Sequence, residues 1–546
     1  MVFNKTEVSI DRWRKIALIT ITCVFFLGSL ILVNCSFLFV SPDETANAYF
    51  AELFAQSASF QGPYNELADE FDRIHPRSTV NNHGQLLPGS FLGLSFLYGI
   101  ISIVFGKWVF WILTPLVTIG TAYAWRKLIA QWTNEQIGAI TFILFLIHPA
   151  VWYYTARGMM HNVLFLDLFI LGCWMWMVRP IARKMGDLNM TSVSLDDFFA
   201  GLLFGLALFV RSSEVLWIAV LLCLSILIWW RSLVWRRLLV GLCGLFLGLG
   251  FFFVMNTLSY GHPLTTGYTF QVFSPQVLSQ QQFFDMETLA DTVTVLPFGF
   301  HPKVAWQHFS SYVVEMFWWL SVLVLPGFFI LWSQKTGRWT LRWALILSLL
   351  VSVWLVLMYG SWEIHDNPDS TQTTMANSYV RYWLPLYVFL TPIMAATIYW
   401  VSQRGRSLFS KRLITISFIL LILGFNVRTV FLQGQDGLLK MRSQLQHSES
   451  IQASVLRYTS PGSVIIVDRS DKLFFPHRQV WYPLRDEATY AAMPRLVEKT
   501  QLYYYGITFP QADIEYLNTD RLKNLGLQIE LIETFQQESL YRISSF

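Results

Sequence analysis

Long apolar runs alternate with short polar segments rich in lysine and arginine over most of the chain. The first run, Ile16 to Val40, has about 25 residues, enough for a helix to cross a bilayer. Lys5, Arg12, Arg14 and Lys15 precede it. It is too long for a signal-peptide core and lacks a small-residue cleavage site, so the pattern predicts a retained span with a cytoplasmic N-terminus. From Asp43 to about Phe60 apolar residues recur at helical spacing, which predicts an amphipathic helix on the membrane surface. A polar segment follows to Gln85. Counting the next run, 86–105, as a full span would invert every later basic cluster, so it is read as re-entrant or interfacial.

Further spans are predicted near 108–125, 137–155, 162–178, 197–210, 215–230, 236–258, 312–332, 341–359, 381–400 and 412–432. With these directions every basic cluster, from Arg126-Lys127 to Arg404 through Arg412, falls on the cytoplasmic side. The fold class is therefore mainly α: a polytopic bundle of about eleven to thirteen spans. Residues 1–432 form the membrane domain, with a first outer loop near 41–107 and a large outer loop near 259–311. After Gln433 the composition turns polar. Val464 to Val467, Leu527 to Ile532 and Leu540 to Ile543 read as strands, and 489–500 and 513–525 as helices. Residues 433–546 are thus a small extracytoplasmic α/β domain.

Composition agrees: 546 residues with 54% hydrophobic, 14% charged and a mean hydropathy of +0.45 exceed what a soluble domain carries. The net charge of +4 gives no nucleic-acid footprint. The five cysteines, Cys23, Cys35, Cys173, Cys223 and Cys243, fall inside apolar runs and read as small core hydrophobes rather than disulfide or zinc ligands. Trp152-Tyr153-Tyr154, Trp229-Trp230 and Trp318-Trp319 read as interfacial anchors.

The candidate chemistry gathers on the outer side. Asp43 and Glu44 follow Pro42 just past the first span, where acids suit either a helix N-terminus or a catalytic pair. Arg157, Arg211 and Arg381 lie at outer span ends, against the positive-inside rule, and a set of arginines near carboxylates suits a phosphate. A carboxylate to remove a hydroxyl proton, with arginines on a departing phosphate, is the equipment for group transfer from a lipid phosphate. Glu363, His365, Asp366 and Asp369, with Asn367 and Pro368, form an acidic outer loop without the spacing of a calcium site. His301, His308 and Asp285 in the large loop specify no metal.

Ser41-Pro42-Asp43-Glu44-Thr45-Ala46-Asn47-Ala48-Tyr49 after a first span resembles the first-loop signature of GT-C superfamily glycosyltransferases, including protein O-mannosyltransferases and lipid A aminoarabinose transferases. Arg381-Tyr382-Trp383-Leu384-Pro385 is similar to their late Arg-Tyr-x-x-Pro element, and Tyr260-Gly261-His262-Pro263 begins the large loop as in members of that group. The resemblance covers roughly 1–430. It implies an inverting transferase that moves a sugar from a polyprenyl-phosphate donor to a lipid, glycan or protein acceptor on the extracytoplasmic face. Asp43 would be the general base, Glu44 its support or a metal ligand, and Arg381 the donor-phosphate holder with Arg211 and Arg157. His161, Asn162, Tyr382 and Tyr49 would contact substrate. Asn162 stands where members commonly carry a second acid, which weakens any two-acid or metal scheme; no cofactor is required, and a divalent cation is left open.

A lipid or polysaccharide transporter or flippase is the alternative, since it too has many spans and few buried charges. It predicts ionisable residues at mid-span, and only Asp167 fits. A scaffold displaying the C-terminal domain would leave Asp43 and Arg381 dispensable.

Overall fold

In the computed structural model, which describes residues 5–184, 192–273, 296–334, 338–364, 366 and 372–546, the chain divides into a helical unit and a mixed unit. The helical unit comprises Met1–Leu32, Trp111–Val254 and Ser279–Lys440. Among the described residues of the whole chain, six helices are long and apolar enough to cross a membrane, or up to nine if each bent helix pair is one span. Lys5–Ser29 is a further helix of 25 residues, and Leu195–Val210, at 16 residues, is a shorter one. The chain is a multi-pass membrane protein.

Two predicted spans are broken. The 137–155 run forms Glu135–Ile147 and Pro149–Ala156, bent by 49°. Pro149 has no N–H to continue the ladder, and the His148 ring nitrogen Nδ1 accepts from the Ala150 amide at 3.2 Å to start the second piece. Asn426 donates to the Ile147 carbonyl at 2.7 Å, so the break leaves that group satisfied. The second break lies between Pro302–Glu315 and Trp318–Ser333, where the axis turns by 86° after a π-helical stretch over Ser310–Glu315.

Glycine sets one close helix crossing. A Cβ on Gly201 would lie 1.8 Å from the Gly241 carbonyl, and one on Gly244 would lie 2.0 Å from the Phe198 carbonyl. The Leu195–Val210 and Trp235–Tyr260 helices therefore meet backbone to backbone, and the Asp197–Arg237 pair at 2.8 Å joins them near one end. Trp152, Tyr153 and Tyr154 correct an expectation: all three are buried inside the bundle rather than interfacial, with Trp152 filling the space opposite Gly28. The cysteines differ too. Cys23, Cys223 and Cys243 are exposed, because a membrane helix keeps apolar residues on its outward face as well as its packed one, and Cys35 is exposed in a turn after the first helix.

The mixed unit comprises Val33–Phe110, Met255–Leu278 and Met441–Phe546, so the first loop belongs with the C-terminal residues. A hairpin of β1 (Thr79–Asn82) and β2 (Gln85–Pro88) turns at His83-Gly84, both at positive φ, which matches the twist of paired strands. The larger sheet holds β3 (Val464–Val467), β4 (Gln479–Trp481), β5 (Leu502–Ile507), β6 (Leu527–Phe535) and β7 (Glu538–Ser545) in the order β4-β3-β5-β7-β6. β3 runs parallel to β4 and β5, while β7 is antiparallel to β5 and β6. β4 and β5 were not predicted: β5 is Leu-Tyr-Tyr-Tyr-Gly-Ile, buried on both faces and so without alternation to read.

Alternate residues of β3 serve two cores. Val464 and Ile466 pack with Met493 and Leu496 and with Ala68, Phe71 and Ile74 of the first loop. Ile465 and Val467 pack with Ile451 and Val455 of the Leu438–Tyr458 helix. Ile74 also bridges Trp481 on edge strand β4, and Glu70 pairs with Arg495 and Lys499. The predicted helix after Ser41 forms as Pro42–Ser57. Its apolar face is covered by protein: Phe54 stacks on Phe60 at 4.8 Å and meets Phe96 at 5.1 Å. Phe96 belongs to the Gly93–Phe105 helix, whose 13 residues are too few to span alone.

Candidate active site

Ser41, Asp43 and Glu44 are arranged by a capping box. The Ser41 side chain accepts from the Glu44 amide, and the Glu44 carboxylate accepts from the Ser41 amide at 2.9 Å and hydroxyl at 2.8 Å. Glu44 is 1% exposed. This leaves the two neighbouring acids with different surroundings, since Asp43 is partly exposed and accepts from the Ser78 hydroxyl at 2.5 Å. Ser78 has φ +63°, a left-handed conformation uncommon for a residue with a Cβ, held where it meets the carboxylate.

The neighbour of Ser78 explains how that backbone is held. Arg77 donates to Asp471 three times, from its amide at 2.8 Å, from Nε at 3.0 Å and from Nη2 at 2.6 Å. The Asp471 side chain is fully buried. Lys472, next along, donates to the Val40 carbonyl just before the capping box. The polar 61–85 segment carries no motif that marks Arg77 or Ser78, and Asp471 lies about four hundred residues away, so none of the three was predicted. Tyr49 sits farther along the same helix against Phe475, ring centroids 4.7 Å apart.

In the helical unit Arg211 and Arg381 share one ring. Their guanidinium carbons lie 4.8 Å and 5.2 Å from the centre of Tyr382. Arg211 is also bound to Glu214 at 2.5 Å and donates to the Tyr359 hydroxyl at 3.1 Å, which in turn donates to Glu214 at 2.8 Å. Trp217 completes the set by donating to the other Glu214 oxygen at 2.5 Å. Glu214 thus neutralises Arg211, and Tyr359, at the end of a span, is a partner the sequence did not reveal. Tyr382 stacks on Tyr359 at 4.6 Å.

Arg381 contacts Met160 Sδ at 3.5 Å, immediately before His161 and Asn162, which are buried at the start of His161–Val178. Arg157 caps Pro149–Ala156 and lies over Tyr153 and Tyr154 at 6.0 and 5.8 Å. The Tyr154 hydroxyl reaches the Met375 and Asn377 carbonyls at 3.0 and 3.1 Å, and Asn377 caps the short helix that carries Arg381. The arginines expected at separate span ends are therefore tied to one corner of this unit.

Several of the remaining candidates lie in structural hydrogen bonds. Asp366 accepts from the Ser378 amide at 2.8 Å, and His308 bonds the Gly360 carbonyl at 2.8 Å. The His301 amide donates to Ser361 at 3.1 Å. His365, Asn367, Pro368, Asp369 and Asp285 lie outside the described residues. Asp167 accepts from Thr118 at 2.6 Å within the bundle. Among the described residues no group of three or more His, Cys, Asp or Glu side chains could hold a metal ion.

No protein-family model and no curated protein matches the sequence. Solved structures do. ArnT from Cupriavidus metallidurans, a lipid A aminoarabinose transferase solved bound to undecaprenyl phosphate, is 11% identical with a TM-score of 0.57, the match covering 96% of this chain and 97% of that one. Its apo state gives 0.56. The Archaeoglobus fulgidus oligosaccharyltransferase in its apo form is 10% identical with a TM-score of 0.50, covering 92% of this chain and 70% of that one.

Proposed function

We propose that this chain, which has the fold of the GT-C superfamily of membrane glycosyltransferases, is itself such an enzyme, taking a sugar from a polyprenyl-phosphate donor. In this reading Asp43 removes the proton from the acceptor hydroxyl, whose oxygen attacks the anomeric carbon from the side opposite the phosphate. The bond from that carbon to the phosphate oxygen breaks, and the configuration inverts. The lipid phosphate leaves with the added negative charge, which Arg381 and Arg157 stabilise. Arg211, matched by Glu214, acts through Tyr382 to orient Arg381. The acceptor is a lipid, glycan or protein hydroxyl at the extracytoplasmic face, with the N-terminus cytoplasmic and the C-terminal residues outside.

The observation that carries the reading is the division of labour between two adjacent acids: Glu44 is consumed by the helix cap, while Asp43 is partly exposed and held by Ser78. The likeness to an ArnT structure bound to undecaprenyl phosphate supports the donor class. The test is release of undecaprenyl phosphate from a panel of undecaprenyl-phosphate sugars by the full chain in nanodiscs. Asp43→Asn should lower turnover by about a hundredfold or more while donor binding persists, and Arg381→Ala should weaken binding of undecaprenyl phosphate. Turnover by Asp43→Asn at the wild-type rate would rule the assignment out.

A further inference from the structure

Within the mixed unit, a cleft of about 470 Å³ opens between the first loop and the edge of the five-stranded sheet. We propose that this cleft binds neutral sugar units of the acceptor, through Tyr64 as a stacking face and through Tyr49, Asn65, His75, His477 and Gln479 as hydrogen-bonding groups. The proposal rests on the transferase reading for the word acceptor and names the acceptor's chemistry as a glycan.

The lining has the mixture that sugars need. A pyranose presents hydroxyls around its rim and a patch of C–H groups on its face, so a site for it combines an aromatic surface with polar groups that both donate and accept. Tyr64 is 60% exposed, and its hydroxyl is tied to Asp69 at 2.8 Å, which fixes the ring. Gly84 helps to set it: a Cβ there would lie 2.8 Å from the Tyr64 ring and 2.7 Å from the Asn65 carbonyl. Asn65 uses its side-chain oxygen to cap Glu66–Glu70, accepting at 3.0 and 3.4 Å, which commits the oxygen and leaves the amide NH2 as donor.

Gln479 lines the cleft, and its side-chain oxygen, closed to solvent, accepts no hydrogen bond from the protein. An acceptor so placed costs free energy on the order of 1–3 kcal/mol, and a turn of the side chain into the cleft would let a sugar hydroxyl donate to it.

Charge decides which glycans fit. Arg478 borders the cleft, but its guanidinium is engaged: Nε donates to Thr459 Oγ1 at 3.0 Å, Nη1 to the His477 carbonyl at 2.8 Å, and Nη2 to the Leu456 and Thr459 carbonyls at 2.9 and 2.6 Å. Burial depresses the basicity of both His75 and His477, which keeps them neutral near pH 7. Glu66 adds one negative charge to the wall. Among the described lining residues the Arg478 charge is offset by Glu66, and its N–H groups, turned to protein acceptors, leave no bidentate fork for phosphate, sulfate or carboxylate, so neutral sugars suit the cleft. Burial and nearby Glu52 push the Tyr49 phenol up, so it stays a donor.

The cleft is joined to the acid by a short segment. His75 and Pro76 line it, and Ser78, two residues on, bonds Asp43. Tyr49 lies six residues beyond Asp43, about 9 Å along the helix axis. A bound sugar chain could thus hold one unit in the cleft and offer a neighbouring hydroxyl to Asp43.

The test uses the full chain in nanodiscs and saturation-transfer NMR with maltotetraose, mannotetraose, chitotetraose and, as an anionic control, a hyaluronan tetrasaccharide, each at about 1 mM. At least one neutral tetrasaccharide should show transfer, reduced about tenfold in affinity by Tyr64→Ala and by Gln479→Leu. Tyr64 is exposed and the Gln479 oxygen unpartnered, so neither change should disturb folding, which a melting curve checks. No transfer to any neutral tetrasaccharide, transfer unchanged in both variants, or preference for the anionic control would each overturn the proposal. Donor cleavage is measured in the same preparations. Cleavage without saccharide binding sinks the cleft alone; saccharide binding without cleavage of any donor upholds the cleft and sinks the transferase reading.

Discussion

Replacing Arg77 by alanine should loosen the first loop from the C-terminal residues and with it the support of Asp43. The change deletes two charge-assisted hydrogen bonds to Asp471, at 3.0 and 2.6 Å, and one to the Arg469 carbonyl at 2.6 Å, and keeps the backbone one at 2.8 Å. Each such bond contributes about 1.5–3 kcal/mol, so the loss is at most about 9 kcal/mol. The Arg77 side chain is 32% exposed, and solvent screening discounts its share. Asp471 is fully buried and would remain as a poorly compensated charge, which argues against a small value. We expect about 3 kcal/mol, an increase of about 150-fold in the open population. Hydrogen exchange read by mass spectrometry on peptides covering 73–82 and 468–476 measures that population in the intact protein. Arg77→Lys, which can restore one bond, should fall between wild type and alanine. Exchange in Arg77→Ala within about twofold of wild type would refute the claim that this pair holds the loop.

Ser78 combines a hydrogen bond with a left-handed backbone, and two substitutions separate them. Ser78→Ala loses the bond and keeps the strain, whereas Ser78→Gly loses the bond and relieves the strain by about 1 kcal/mol, so both should slow transfer while only the glycine variant melts as high as wild type. Gly244→Ala forces a Cβ to 2.0 Å from the Phe198 carbonyl and should cost about 3 kcal/mol or prevent folding, whereas Gly250→Ala meets nothing within 4 Å and should be silent; melting of the detergent-purified variants compares them. His75 makes stability pH-dependent. Burial lowers its pKa below the ordinary 6.5, so the unfolded chain binds the proton more readily, and stability present above pH 6.5 is lost as the pH falls through the window beneath it. His75→Gln should flatten the melting temperature in that window relative to wild type.

Most of the helical unit was legible in the chain itself, because a bilayer requires continuous apolar runs and basic residues punctuate them. The acidic motif was legible for a similar reason: Ser41, Pro42 and Glu44 form a cap from local residues alone, and Asp43 stands beside them. The Ser41-x-x-Glu44 spacing is that of a capping box and assigns Glu44 to the cap. Only the fold showed what holds the other acid, by bringing Ser78 to Asp43. The same holds for the arginines. Each could be picked out singly from its place at a span end, but Glu214 and Tyr359 assign Arg211 to an internal network, and the partnership of Tyr359 spans 148 residues of sequence. The inward placement of Trp152, Tyr153 and Tyr154 was likewise hidden, since an aromatic at a helix end looks the same whether it meets headgroups or a neighbouring helix. Local rules thus determined where the helices and the acidic pair lie, while long-range pairing determined which polar group is left to act, because a side chain's chemistry depends on partners that the order of residues does not place beside it.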